Sequence, residues 1–293
     1  MTKLSLMAAS AAVLVLAGGG AFSAIGCGDD KAPAAAPSVK IETPAPAPAP
    51  APKAEPVKVD APAPAPKAAP VVAVPVSLQD AGSITGVVKV VDAPRRKKIK
   101  MDADPKCAAL HAEPPLMDEV VADANGGVQY AFVWIKTGLE GKTLPVPSTA
   151  AVINQQGCRY EPHVLGVMVG QELTIRNSDD LLHNIHALPF ENKEFNFGQP
   201  SKGMEEKKSF QKQEVMVKVK CDVHPWMSAW IGVVAHPCFS VTDATGKFDI
   251  KGVPPGKYTV EVWQEKYKSV TAEVEVKAGA AAAANFEMKD KRE

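Results

Sequence analysis

The stretch "VKCDVHPWMSAW", from Val219 to Trp230, places Cys221, His224 and Met227 at every third residue. Each has an ordinary use when alone: a small buried apolar group, a polar strand end, a packing residue beside tryptophan. Together they form a donor set. A thiolate is a strong soft ligand, imidazole suits copper in both oxidation states, and a thioether is a weak axial donor. Zinc fits less well, because a C-x2-H pair is half of a zinc site and zinc has no use for methionine. A copper set needs a second imidazole from another segment, and "IRNSDDLLHNIHA" offers two. If that segment is extended, alternation sends His183 and His186 to opposite faces. We choose His183, because Asn184 directly after it can then reach the cysteine loop.

"HN" followed by C-x2-H-x2-M resembles the cupredoxins, and "CDVHPWM" has the short ligand-loop spacing of amicyanin. The resemblance implies one type 1 copper held by His183, Cys221, His224 and Met227. Asn184 would hydrogen-bond across to the cysteine loop and keep the two ligand segments in register. Pro225 would stiffen the loop. In this family the C-terminal ligand histidine reaches the surface through an apolar patch, and Trp226 would form part of it, whereas Trp230 reads as strand packing. The implied activity is single-electron transfer between redox proteins such as cytochromes or oxidoreductases.

The elements around these residues read as β throughout. "GVVKVV", "QYAFVWIK", "TAAVINQ", "HVLGVMVG", "ELTIRNS", "EVMVKVKC" and "WIGVVAH" are short runs of Val, Ile and aromatics bounded by Gly, Asn, Asp and Pro. The segment "DPKCAALHAE" allows one or two helical turns at most. Short strands separated by turn signals indicate an all-β sandwich. We assign 81–235 to a cupredoxin-like Greek-key β-sandwich, with an insertion around Asp102 to Glu119. The polar run "ENKEFNFGQPSKGMEEKKSFQKQE" reads as a loop beside the site. From 236 to 290, "DATGKF", "GVPPGKYTVEVW" and "SVTAEVEV" supply two turns and alternating strands. They resemble the carboxypeptidase regulatory-like domain, a small transthyretin-like β-sandwich that implies no catalysis. Almost no linker separates the two, so they are expected to abut.

The N-terminus concerns location. Lys3, the apolar run Leu4 to Ala17 and the small residues after it have the layout of a secretory signal over 1–26. "AIGC" resembles a lipobox with Cys27 as the acylated residue, and cleavage after Ser23 is the alternative. The Ala/Pro-rich segment within 27–80 cannot build a core and reads as a disordered, extended spacer. At ~3.1 Å per residue, residues 31–76 would reach on the order of 140 Å. The expected place is therefore the cell envelope, periplasmic or at the cell surface, with a lipid anchor in the membrane.

Beyond Cys27, reserving Cys221 for the metal leaves three cysteines. Cys107 and Cys158 lie in loop-like, proline-flanked segments, and we pair them, leaving Cys238 alone. Closing that loop would stabilise by roughly 4 kcal/mol on the chain-entropy account. Cationic and anionic side chains balance at 33 each, and no basic stretch is interleaved with aromatics, so nucleic acid is not an expected partner. "RRKK" at Arg95 to Lys98 reads as a solvated loop. No nucleophile elbow, phosphate loop, dinucleotide fingerprint, HExxH or CxxCH occurs, and an enzyme is not expected. His111, His163 and His186 read as structural or solvent-facing. The competing reading is a cell-envelope scaffold, or a copper storage or delivery protein, on the same sandwiches.

Overall fold

The computed structural model describes residues 74–75 and 80–289. Cys27, the expected signal peptide and most of the Ala/Pro-rich segment lie outside these residues. The described chain is almost entirely β, with one helix of five residues, Pro105–Ala109. Among the described residues no helix is long and apolar enough to cross a membrane.

One sandwich faces a five-stranded sheet against a four-stranded one. The first runs Phe195–Gln199, His183–Leu188, Glu214–Lys220, Ser228–Val234 and Val164–Met168 in spatial order. The second runs Glu205–Lys208, Leu173–Asn177, Ala151–Gln155 and Tyr160–Glu161. Strand periodicity explains the core between them. Ile185 with Ala187, Val217 with Val219, and Ala229 with Ile231 and Val233 share one cluster with Ile153, Leu173 and Ile175. The segment expected as a loop beside the site instead contains Phe195–Gln199 and Glu205–Lys208, both sheet edges. Their polar composition misled the reading, and Glu205–Lys208 is charged at every position, a common device against further pairing at a sheet edge.

The second sandwich corrects the domain boundary. Its sheets run Phe239–Val241, Phe132–Thr137, Gly256–Trp263, Val270–Val276, and Lys247–Val253, Gly82–Val90, Ala281–Ala283. Phe286–Met288 also pairs with Gly82–Val90. Two upstream strands expected within 81–235 therefore belong to the C-terminal sandwich, and the five-on-four-stranded sandwich is inserted between Phe132–Thr137 and Phe239–Val241. Backbone satisfaction is the physical reason. Gly82–Val90 joins Lys247–Val253 to Ala281–Ala283, and Phe132–Thr137 joins Phe239–Val241 to Gly256–Trp263; without them those strands would expose unpaired ladders.

The sandwiches meet through aromatic packing that the sequence did not disclose. Gly166 and Gly232 are register partners on adjacent strands and form a notch filled by the buried Phe132 ring. Phe132 also packs against Phe239, with ring centroids 5.6 Å apart. A Cβ at Gly232 would lie 2.4 Å from Phe132 Cζ, and the ring is too rigid to yield cheaply. Gly232→Ala is expected to destabilise the protein by about 1–3 kcal/mol. Urea unfolding checks this; a variant as stable as the parent would show that the notch is not tightly filled.

Candidate metal centre

Three inward-facing rows of the larger sheet end at the same pole of the sandwich. His183 starts the row of Ile185 and Ala187, Cys221 continues that of Val217 and Val219, and Met227 precedes that of Ala229 and Ile231. His186 pairs with Lys220 and Lys220 with Ser228, so the ladder itself brings these ends together. The intervening loop is tightened by Cys221 N–H donating to Met227 O at 3.2 Å and Met227 N–H to His224 O at 2.9 Å. His183, Cys221, His224 and Met227 are all buried, at most 3% exposed.

Within this pocket His183 Nδ1 lies 3.0 Å from His224 Nδ1, and Cys221 Sγ lies 3.9 Å from the latter. Each ring turns its other nitrogen to a carboxylate: His183 Nε2 to Asp179 Oδ2 at 2.9 Å, His224 Nε2 to Asp104 Oδ2 at 3.2 Å. A carboxylate accepts only, so in the neutral rings Nε2 carries the proton and the two Nδ1 lone pairs face each other. Two facing acceptors repel unless a proton or a metal ion lies between them. Metal–nitrogen bonds of about 2.0 Å and a metal–sulfur bond of about 2.3 Å span these separations at angles of about 97° and 130°. His183, Cys221 and His224 thus fit a first-row transition ion, and their ligand atoms lie within 4.8 Å of one another.

The electrostatics agree. Burial pushes the Cys221 thiol up, yet His183 and the backbone N–H groups of Asn184, His224 and Val223 overcome it and hold the thiol below its ordinary value. Burial likewise opposes ionisation of Asp179, but His183 and the N–H groups of Cys158 and Gly157 hold it low. For His183 burial favours the neutral ring, and its bonds to Asp179 and Cys221 reverse the balance and raise it. The Asp104 carboxyl is lowered first by its bond to His224.

Asn184 reaches the cysteine loop: its Oδ1 accepts from Asp222 N–H at 2.6 Å and from the Cys221 thiol at 3.2 Å. Pro225 is exposed in the ligand loop. Trp226 is half-buried; its ring centroid lies 5.2 Å from that of His224, and its Nε1 donates to Cys158 O at 3.0 Å. Trp230 packs against Trp263 at 5.1 Å and donates to Glu265. His111 meets Gly157 O, His163 meets Ser228 O, and His186 lies between Asp222 and Glu194, all outside the ligand pocket. Cys107 and Cys158 form a disulfide; Cys238 is free and buried, its thiol pushed up to about 12 by burial.

Sequence reasoning missed the two carboxylates. Asp179 reads as turn punctuation in "NSDDLLHN", although its place four residues before His183 was a usable signal. Asp104 caps the short helix, its Oδ1 accepting from Lys106 and Cys107 N–H, and nothing local points to a histidine 120 residues away. Tyr160 was also missed; its hydroxyl donates to Asn184 O and to Lys220 O, joining the two ligand strands.

These directions set a stability window for the metal-free protein. A lowered carboxyl stabilises fully above its ordinary value of 3.8, and the gain is lost as pH falls through the depressed value. A raised imidazole stabilises fully below its ordinary value of 6.5, and the gain is lost as pH rises through the elevated one. Metal-free protein should therefore have its highest thermal midpoint between about pH 4 and 6.5, and Asp179→Asn should flatten the acid side. Calorimetry across pH tests this, and an unchanged acid limb in the variant would contradict it.

Residues 239–289 match the carboxypeptidase regulatory-like domain family. No curated protein matches the chain in sequence. Among solved structures, a purple cupredoxin from Nitrosopumilus maritimus is 26% identical, over 28% of this chain and 98% of that one, with a TM-score of 0.24. A methionine-to-alanine mutant of amicyanin, in the Cu(I) form, is 24% identical over 30% and 85% of the two chains, with a TM-score of 0.26. A Cu-containing nitrite reductase from Thermus scotoductus is 20% identical over 33% of this chain and 24% of its own length, with a TM-score of 0.26.

Proposed function

We propose that this protein carries one type 1 copper on His183, Cys221, His224 and Met227 and transfers single electrons between redox proteins of the cell envelope. The observation carrying this reading is the pair of facing Nδ1 atoms 3.0 Å apart beside the Cys221 thiol, each ring turning its Nε2 to a carboxylate. Bound copper supplies the one-electron couple. The chain's own residues hold the donors, fix their tautomers and exclude water. Burial of all four side chains keeps the donor set similar in both oxidation states, which favours rapid transfer. It disfavours copper delivery, in which a partner must reach the ion. A cavity of about 20 Å³ lies beside Met227, and we read the protein as a carrier and not an enzyme.

The location follows from the N-terminal reading. Acylated Cys27 would anchor the chain, and the Ala/Pro-rich spacer would let the copper sandwich range from the membrane to reach cytochromes or oxidoreductases. The regulatory-like sandwich, which shares its sheets with upstream strands, serves as the rigid base of the inserted copper unit.

Copper(II) added to the purified protein should give an intense thiolate-to-copper absorption and a reversible one-electron potential. Cys221→Ser should abolish the colour. Met227→Gln should keep copper bound and lower the potential, since the axial donor tunes it. Visible absorption and voltammetry provide the checks; colour surviving in Cys221→Ser would remove the thiolate from the site, and an unchanged potential in Met227→Gln would remove the thioether.

A further inference from the structure

The Cys107–Cys158 disulfide lies outside the donor set, yet hydrogen bonds run from both half-cystines to both ligand histidines. On one side, Cys107 N–H donates to Asp104 Oδ1 at 3.4 Å, and Asp104 Oδ2 meets His224 Nε2 at 3.2 Å. On the other, Cys158 N–H donates to Asp179 Oδ2 at 2.8 Å, and the same oxygen meets His183 Nε2 at 2.9 Å. Gly157 and Cys158 both have positive φ, at 61° and 53°, which turns two successive N–H groups onto the one carboxylate. Left-handed backbone at a residue other than glycine persists only where its surroundings impose it. Cys158 O also accepts from Trp226, whose ring flanks His224. The Cys107 sulfur itself lies 3.5 Å from His224 Nε2.

We propose that this disulfide is a yoke: one covalent bond fixes the separation of two carboxylates, and through them the tautomer and orientation of both imidazole rings. Cys107, Cys158, Asp104 and Asp179 are positioning residues. The same arrangement seals the outer edge of His224, which is 2% exposed, so the electron port expected at that edge is closed and Trp226 is the remaining aromatic contact leading outward. The segment around Asp102 to Glu119 is the arm that carries the yoke. Its Cys107 side chain, with Ile99 and Met101 just before it, belongs to the copper sandwich's own core cluster, and its base is held by Arg96 and Arg159 on Asp118.

The proposal rests on the copper reading, and the test separates the two. In metal-free protein at a pH above the raised His183 value, nitrogen-15 NMR of the imidazoles should show His183 and His224 as single Nε2–H tautomers, and the Cys107→Ala/Cys158→Ala variant should show both rings mixed or exchanging. In copper-loaded protein, Asp104→Asn with the disulfide intact should raise the potential, because a poorer acceptor leaves imidazole a weaker donor. Its copper affinity should fall about 10–100-fold by chelator competition. The same substitution in the disulfide-free background should cost little more, since one device is removed twice. Additive losses, or tautomers unchanged in the disulfide-free protein, would overturn the yoke. Should the disulfide-free variant fail to fold, Asp104→Asn alone decides: a shifted potential with an unchanged thermal midpoint supports positioning, and an unchanged potential overturns it. A parent protein that binds copper without the thiolate band would overturn the copper reading instead, while the metal-free tautomers would still judge the yoke.

Discussion

Two imidazole Nδ1 atoms are held 3.0 Å apart inside a β-sandwich, both rings buried. Such a contact is repulsive unless a proton or a metal ion lies between, and the surroundings are arranged to keep it. Asp104 and Asp179 hold the protons on the far nitrogens, Tyr160 ties the two ligand strands, and Asn184 links the His183 strand to the turn after Cys221. Nothing here relaxes independently, because each bond that orients a ring also satisfies a buried backbone or carboxylate group. Much of the inserted sandwich thus serves to maintain one electrostatically unfavourable spot.

The architecture gives that spot a rigid support. The inserted unit leaves the base sandwich after Phe132–Thr137 and returns at Phe239–Val241, so both ends of the insertion are clamped in one sheet. Phe132, seated between Gly166 and Gly232, transmits the base's rigidity to the strand that follows Met227. A unit attached at two points with an aromatic wedge has little freedom to swing.

Strand alternation and ligand chemistry were legible from residues alone. The period of two separates His183 from His186, and the structure places His183 inward and His186 among surface carboxylates. The C-x2-H-x2-M spacing put three donors in one loop whose ends are strand-paired. The cystine partners Cys107 and Cys158 were approachable because both sit in irregular, proline-flanked segments. The domain boundary was not legible. "GVVKVV" and "AFVWIK" are apolar strands that suit either sandwich, and only hydrogen-bond pairing decides which sheet takes them.

Local periodicity, which depends on neighbours in the chain, determined the β character and the face that His183 and His186 each occupy. Tertiary structure alone decided the partners of the strands, the carboxylate behind each histidine and the covering of His224 by the disulfide-bearing arm. Those contacts join residues more than a hundred positions apart in the case of Asp104 and His224. Their energy depends on distance and burial in space, quantities that no local spacing of residue types encodes.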